Sequence, residues 1–218
     1  YKCWTHGGTK ASPGPCSQKK LTDIFRKLNP QIKGTTRWNK PPADFFPHGD
    51  DSYLEFNDIG TRNEGLYFYK NPMGFKMFLK WKCRQQDDKE YLPVCYSQHV
   101  QGGWVKQQLW EVRPLFRLDE LWQTKLKKCL ITEGEATALK AQEYFPDYFV
   151  TTCDGGASGW EKTDLQMLKT KANFEGENKF DEVILWPDND VTGRRNFKEF
   201  GVHLLKRGIN TKIVKLPN

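Results

Sequence analysis

The sequence predicts an α/β protein: residues 126–218 form a mainly parallel sheet with helices on its faces, and a basic α+β region precedes them. Two observations lead to this. After residue 126 strand-like and helix-like segments alternate strictly, and such alternation folds as a parallel sheet covered by helices. Before it, residues 46–125 are dense in aromatic and basic side chains, in short runs separated by turn residues.

Taken in order, residues 1–45 are rich in Gly, Pro, Lys and Thr, with one helical stretch at 21–28. In residues 46–125, Gly65-Leu66-Tyr67-Phe68-Tyr69 and Lys76-Met77-Phe78-Leu79-Lys80-Trp81 read as strands. Asn71-Pro72-Met73-Gly74 between them reads as a turn. From there the pattern predicts strands at 128–132, 148–153, 182–186 and 211–216, and helices at 135–144, 161–168 and 194–206.

The composition narrows the function classes. The 218 residues carry a formal charge of +7, which favours a polyanionic partner. No apolar run approaches the roughly 18 residues that span a bilayer, so no membrane partner is expected. The six cysteines, Cys3, Cys16, Cys83, Cys95, Cys129 and Cys153, are scattered unlike those of a small disulfide scaffold. Cys129 and Cys153 fall in apolar runs and read as buried thiols, and a reducing cytoplasm is expected. The chain opens without Met and stops just after a strand, so it reads as a piece of a longer protein.

Acidic residues stand where ligands collect in such sheets, at the carboxyl ends of the strands. The first strand of the alternating region runs into Glu133-Gly134-Glu135, and the third into Asp188-Asn189-Asp190 followed by Gly193. Side chains two apart in extended chain point the same way, which turns Asp188 and Asp190 toward one site, with Glu133 facing it from the neighbouring strand. Converging carboxylates repel, and hard cations such as Mg²⁺ or Mn²⁺ relieve that repulsion. Taken singly, each acid is more readily read as a helix cap than as a metal ligand.

Leu130-Ile131-Thr132-Glu133-Gly134-Glu135 with Pro187-Asp188-Asn189-Asp190-Val191-Thr192-Gly193-Arg194 resembles the TOPRIM signature. The nearest resemblance is to DnaG-type primases encoded by phages and plasmids, which carry a Gly-Gly-Ala segment between the two motifs, here Asp154-Gly155-Gly156-Ala157. The resemblance implies a Rossmann-like TOPRIM domain at 126–218, with the basic subdomain of a primase core at 46–125. It implies metal-holding and catalytic roles for Glu133, Asp188 and Asp190. It also implies synthesis of RNA primers from nucleoside triphosphates on a single-stranded DNA template, in a bacterial cell or phage-infected host, beside a replicative helicase in cis or in trans. Where that family often has Asp four residues after the first Glu, this chain has Thr137. Two other readings share the motif: a TOPRIM nuclease, and a RecR-like mediator that binds DNA without catalysis.

Basic residues supply candidate contacts to DNA or nucleotide. Lys76, Lys80, Lys82, Lys106 and Arg113 are interleaved with aromatic residues, a mixture suited to phosphate neutralisation and base stacking, or equally to an ordinary two-sided sheet. Arg194 and Arg195 open the last helix, and either a phosphate or the acidic loop beside them offsets their unfavourable position on the helix dipole. The Gly155-Gly156 loop reads either as a close approach to a nucleotide or as a plain connection. At the start, Cys3 and His6 form a Cys-x-x-His pair resembling half of a primase zinc ribbon, which makes residues 1–45 a ribbon remnant and linker, with Zn²⁺ expected only in a longer protein.

Overall fold

The computed structural model describes residues 43–48, 61–85, 88–169 and 178–215. Residues from Pro41 onward belong to one compact unit. The Cys3–His6 pair and the helix expected at 21–28 lie outside the described residues.

Two sheets are stacked within that unit. The first is antiparallel, in the order β1 (Thr61–Lys70), β2 (Lys76–Gln85), β3 (Asp88–Tyr96) and β4 (Trp104–Val105). The Asn71–Gly74 turn joins β1 to β2, and the Asn71 side chain caps it by accepting the N–H groups of Met73 and Phe75. Strand alternation sorts β2 into two faces. Leu79, Trp81 and Cys83 join Val94 and Phe46 in a core on one side. Phe78, Lys80, Lys82 and Arg84 lie on the other face, where Phe78 packs against the second sheet.

That second sheet is parallel, in the order β6-β5-β7-β8, with β5 (Lys128–Thr132), β6 (Tyr148–Thr152), β7 (Glu182–Leu185) and β8 (Thr211–Ile213). Helix α1 (Leu118–Gln123) precedes it, α2 (Glu135–Tyr144) follows β5, and α3 (Val191–Lys206) follows β7. The fold class is therefore α/β and Rossmann-like, as the alternation predicts. One face of the sheet, with Cys129, Ile131, Val183 and Leu185, packs on Phe197, Phe200 and Leu204 of α3. The other face, with Leu130 and Val150, meets Ala138 of α2 and the Tyr69, Phe78 and Cys95 row of the antiparallel sheet. Tyr69 and Phe78 stack there at 4.3 Å between ring centroids. Strand β5, buried on both faces beyond Lys128, reads as a continuous apolar run for that reason.

Three local expectations need correction. The helix expected at 161–168 is two 3₁₀ segments, Gly156–Lys162 and Leu165–Leu168. Between them the backbone pairs with Arg113: its N–H reaches the Lys162 carbonyl at 2.8 Å, and its carbonyl accepts the Asp164 N–H at 2.7 Å. Those groups are then lost to a continuous helical ladder. The last helix begins at Val191, so Arg194 and Arg195 sit within it rather than opening it. The last strand ends at Ile213, within the described residues.

Arg117 is the one non-glycine residue with positive φ among the described residues, at 60°. Its guanidinium over-determines the conformation by donating to Glu120, to Gln142 and to the Val150 carbonyl, against a strain of about 1–2 kcal/mol. No helix among the described residues is long and apolar enough to cross a membrane.

Candidate active site

The strand order creates the site. From β5 the chain moves to one side of the sheet to reach β6, then returns to the other side as β7 and continues to β8. The loops after β5 and β7 thus diverge and leave a crevice at the carboxyl end of the sheet, where ligands bind in open α/β folds. Glu133 follows β5 directly, and Asp188 lies in the loop after β7. The Asp188 N–H donates to Glu133 Oε1 at 2.8 Å, tying the loops together. Gly193 makes room for this: a Cβ there would lie 2.2 Å from Glu133 Oε1.

Glu133 carries an electrostatic cost. Burial pushes its carboxyl above the usual range, the Asp188 N–H partly opposes this, and the charges of Asp188 and Asp190 push it further up. Asp190 has a second task. It is the N-cap of α3, accepting the Gly193 N–H at 2.6 Å. Beyond the end of β7 at Leu185, strand alternation no longer governs where 188 and 190 point. Among the described residues no three His, Cys, Asp or Glu side chains are gathered closely enough to hold one ion by themselves.

The antiparallel sheet forms the opposite wall of a cleft of about 570 Å³. Tyr67, Lys80, Tyr91 and Pro93 line it from that sheet, Glu133, Gly155, Gly156 and Asp188 from the loops, and Thr137 from α2. Gly155 and Gly156 take φ of 97° and 64°, conformations that favour glycine. Between the walls runs a buried polar network. Lys80 Nζ lies 2.8 Å from Glu135 Oε1 and 3.1 Å from Asp154 Oδ1. Asp154 Oδ2 also accepts from Arg113 at 2.8 Å and from the Gln108 amide at 3.1 Å. Tyr69 donates its hydroxyl to Glu135 at 2.6 Å. Burial alone acts to lower the Lys80 ammonium's pKa, but Glu135 and Asp154 outweigh it and hold it above its usual value. Burial first, and then Glu135, drives the Tyr69 hydroxyl well upward.

Of the seven cations that the sequence singles out, two line this cleft, Lys80 and Arg113. Lys82 sits on the same sheet face and pairs with Glu64 at 3.2 Å. Lys76 lies over the Phe68 ring and Lys106 over the Trp81 ring, both belonging to the far face of the sheet. Arg194 donates to the Asn189 side chain, and Arg195 is exposed. Sequence reasoning passed over Asp154, Tyr69, Gln108 and Tyr91 as site residues. For Asp154 a signal existed: it is a carboxylate closing the apolar run of β6, directly before two glycines.

No protein-family model matches the chain, and no curated protein does. Among solved structures it is similar to a DNA primase domain from Pseudomonas aeruginosa, at 13% identity and a TM-score of 0.45, over 93% of this chain and 65% of that one.

Proposed function

We propose that this chain is the core of a DNA primase, a metal-dependent nucleotidyltransferase that builds RNA primers on single-stranded DNA. One observation carries the reading: Glu133 and Asp188, in the diverging loops that follow two neighbouring parallel strands, are joined in the wall of a cleft of nucleotide size. The TOPRIM-like motifs at 130–135 and 187–194 give that pair its chemical assignment.

The donor set fits Mg²⁺ or Mn²⁺. It is all oxygen, and Glu133 is held in a surplus of negative charge. Mg²⁺ is commonly held by one or two carboxylates, with substrate phosphates completing its shell. Glu133 and Asp188 would provide those carboxylates, with Asp190 beside them holding the loop to the helix. When bound, the metal would supply charge stabilisation at the reacting phosphate. The protein's own contribution is positioning: the two loops fix the anionic end of the nucleotide, and the antiparallel sheet closes the other wall. A single-stranded DNA template and nucleoside triphosphates are the substrates of this reading.

Glu133→Ala and Asp188→Ala should each abolish extension of ribonucleotides on a single-stranded template with Mn²⁺, with an unchanged circular-dichroism spectrum. Near wild-type synthesis by either variant overturns the assignment. Metal-dependent shortening of the oligonucleotide, with no extension, would make the protein a nuclease instead.

A further inference from the structure

The cleft-facing side of the antiparallel sheet is built in cross-strand rows. Deepest is Tyr69, Phe78 and Cys95, all sealed against the parallel sheet. Next come Tyr67, Lys80 and Pro93, which line the cleft. Outermost is the row of Gly65, Lys82 and Tyr91.

Across these rows the aromatic rings change character. Tyr69 and Phe78 are fully buried, and Tyr67 is 9% exposed, its ring held edge-on to Phe116. Tyr91 lines the same cleft yet is 49% exposed. The Lys80 ammonium lies 5.7 Å from its ring centroid. A half-exposed aromatic ring in a cleft wall is a surface on which a flat partner adds burial.

The charges say what kind of flat partner. Lys80 and Arg113, the two cations in the cleft, are already paired with Glu135 and Asp154. The sheet wall therefore offers a ring and a proline beside a neutralised network. The opposing wall offers the Glu133 and Asp188 carboxylates. A ligand matched to both has a flat aromatic end and a polyanionic end that binds through a divalent cation.

We infer that Tyr91 is the stacking platform for a nucleobase in this cleft, with the phosphates directed to the Glu133–Asp188 loops. The inference rests on the nucleotide-binding reading above and adds the residue that holds the base. Every base has a face to stack, so the platform holds bases without reading their edges. The base belongs to the incoming nucleoside triphosphate; a base of the single strand has the same chemistry and is separated from it by the test.

The test uses the 218-residue chain with Mn²⁺ and three probes followed by calorimetry: ATP, inorganic tripolyphosphate, and a short oligo(dT). Tyr91→Ala should weaken ATP by about tenfold or more and leave tripolyphosphate unchanged, while Tyr91→Phe restores ATP binding. Loss of oligo(dT) affinity with ATP unchanged supports the platform but assigns it to the strand. If Tyr91→Ala leaves both ATP and oligo(dT) unchanged, or weakens tripolyphosphate as much as ATP, the inference is overturned. Wild-type protein that binds neither ATP nor tripolyphosphate overturns the nucleotide reading itself, an outcome separate from a silent Tyr91 variant.

Discussion

Removing Asp154 should be the most destabilising single change in the cleft. Its carboxylate is 5% exposed and serves two cations and an amide. Asp154→Ala leaves Lys80 with Glu135 alone and takes the carboxylate from Arg113 Nη1. Arg113 has little to fall back on, since its Nε is already buried without a hydrogen-bond partner. Breaking a buried pair from one side costs about 3–5 kcal/mol, because a charge stays in the interior uncompensated. Asp154→Asn keeps an accepting oxygen and forfeits the charge, so its cost falls near that of a charged hydrogen bond, about 1.5–3 kcal/mol. Lys140→Ala is the control: the ion pair of Lys140 with Glu143 is on the surface and is worth about 0.5 kcal/mol. Urea unfolding measures all three as shifts in midpoint at constant slope. An Asp154→Ala variant within about 1 kcal/mol of wild type, the ordinary cost of a substitution, would refute the argument that these charges depend on one another.

Two further predictions follow from single residues. Gly193→Ala should push the Glu133 carboxylate off the Asp188 N–H, since the new Cβ would lie 2.2 Å from Glu133 Oε1; Mn²⁺ affinity should fall about tenfold, or about 1.4 kcal/mol, as read by calorimetry, while the helix itself gains from alanine. Burial pushes the Cys153 thiol up to about 12 from an ordinary value of 9.0. Above that ordinary value the unfolded chain releases a proton that the folded chain keeps, so stability is full below it and falls as pH rises, by about 1.4 kcal/mol per pH unit. Denaturation at pH 8 and pH 10 should show a smaller fall for Cys153→Ala than for wild type, and equal falls would exclude burial of that thiol.

What the sequence reveals and conceals follows from the range of the interactions. The strand–helix alternation after residue 126 is local, and the structure follows it closely at β5, α2, β6 and β7. The burial of Cys129 and Cys153 was equally visible, because both lie in apolar runs. The 3₁₀ break at Thr163 was not, because it is set by Arg113, a residue remote in sequence that takes the local hydrogen bonds. The third strand of the antiparallel sheet was passed over because Asp88–Tyr96 mixes charges, a proline and aromatic residues without clean alternation. That Glu133 and Asp188 follow neighbouring parallel strands was legible from the sequence, whereas the hydrogen bond between them spans 55 positions.

The same distance effect changes what the cleft's cations mean. Read as sequence, Lys80 and Arg113 are two more charges in a basic stretch, free to bind phosphate. In the structure both are tied to buried carboxylates: Lys80 to Glu135 at the start of α2 and to Asp154 after β6, and Arg113 to Asp154. A buried cation gives up such a partner only at a cost of several kcal/mol. Lys80 is therefore better understood as the fastening between the two walls of the cleft, with Arg113 holding the Asp154 carboxylate beside it. A phosphate entering it meets a neutralised network on one side and the Glu133–Asp188 carboxylates on the other. Binding of a polyanion there needs a divalent cation to reverse the sign of the second wall, which is why metal and nucleotide should bind together and why tripolyphosphate without Mn²⁺ should bind poorly.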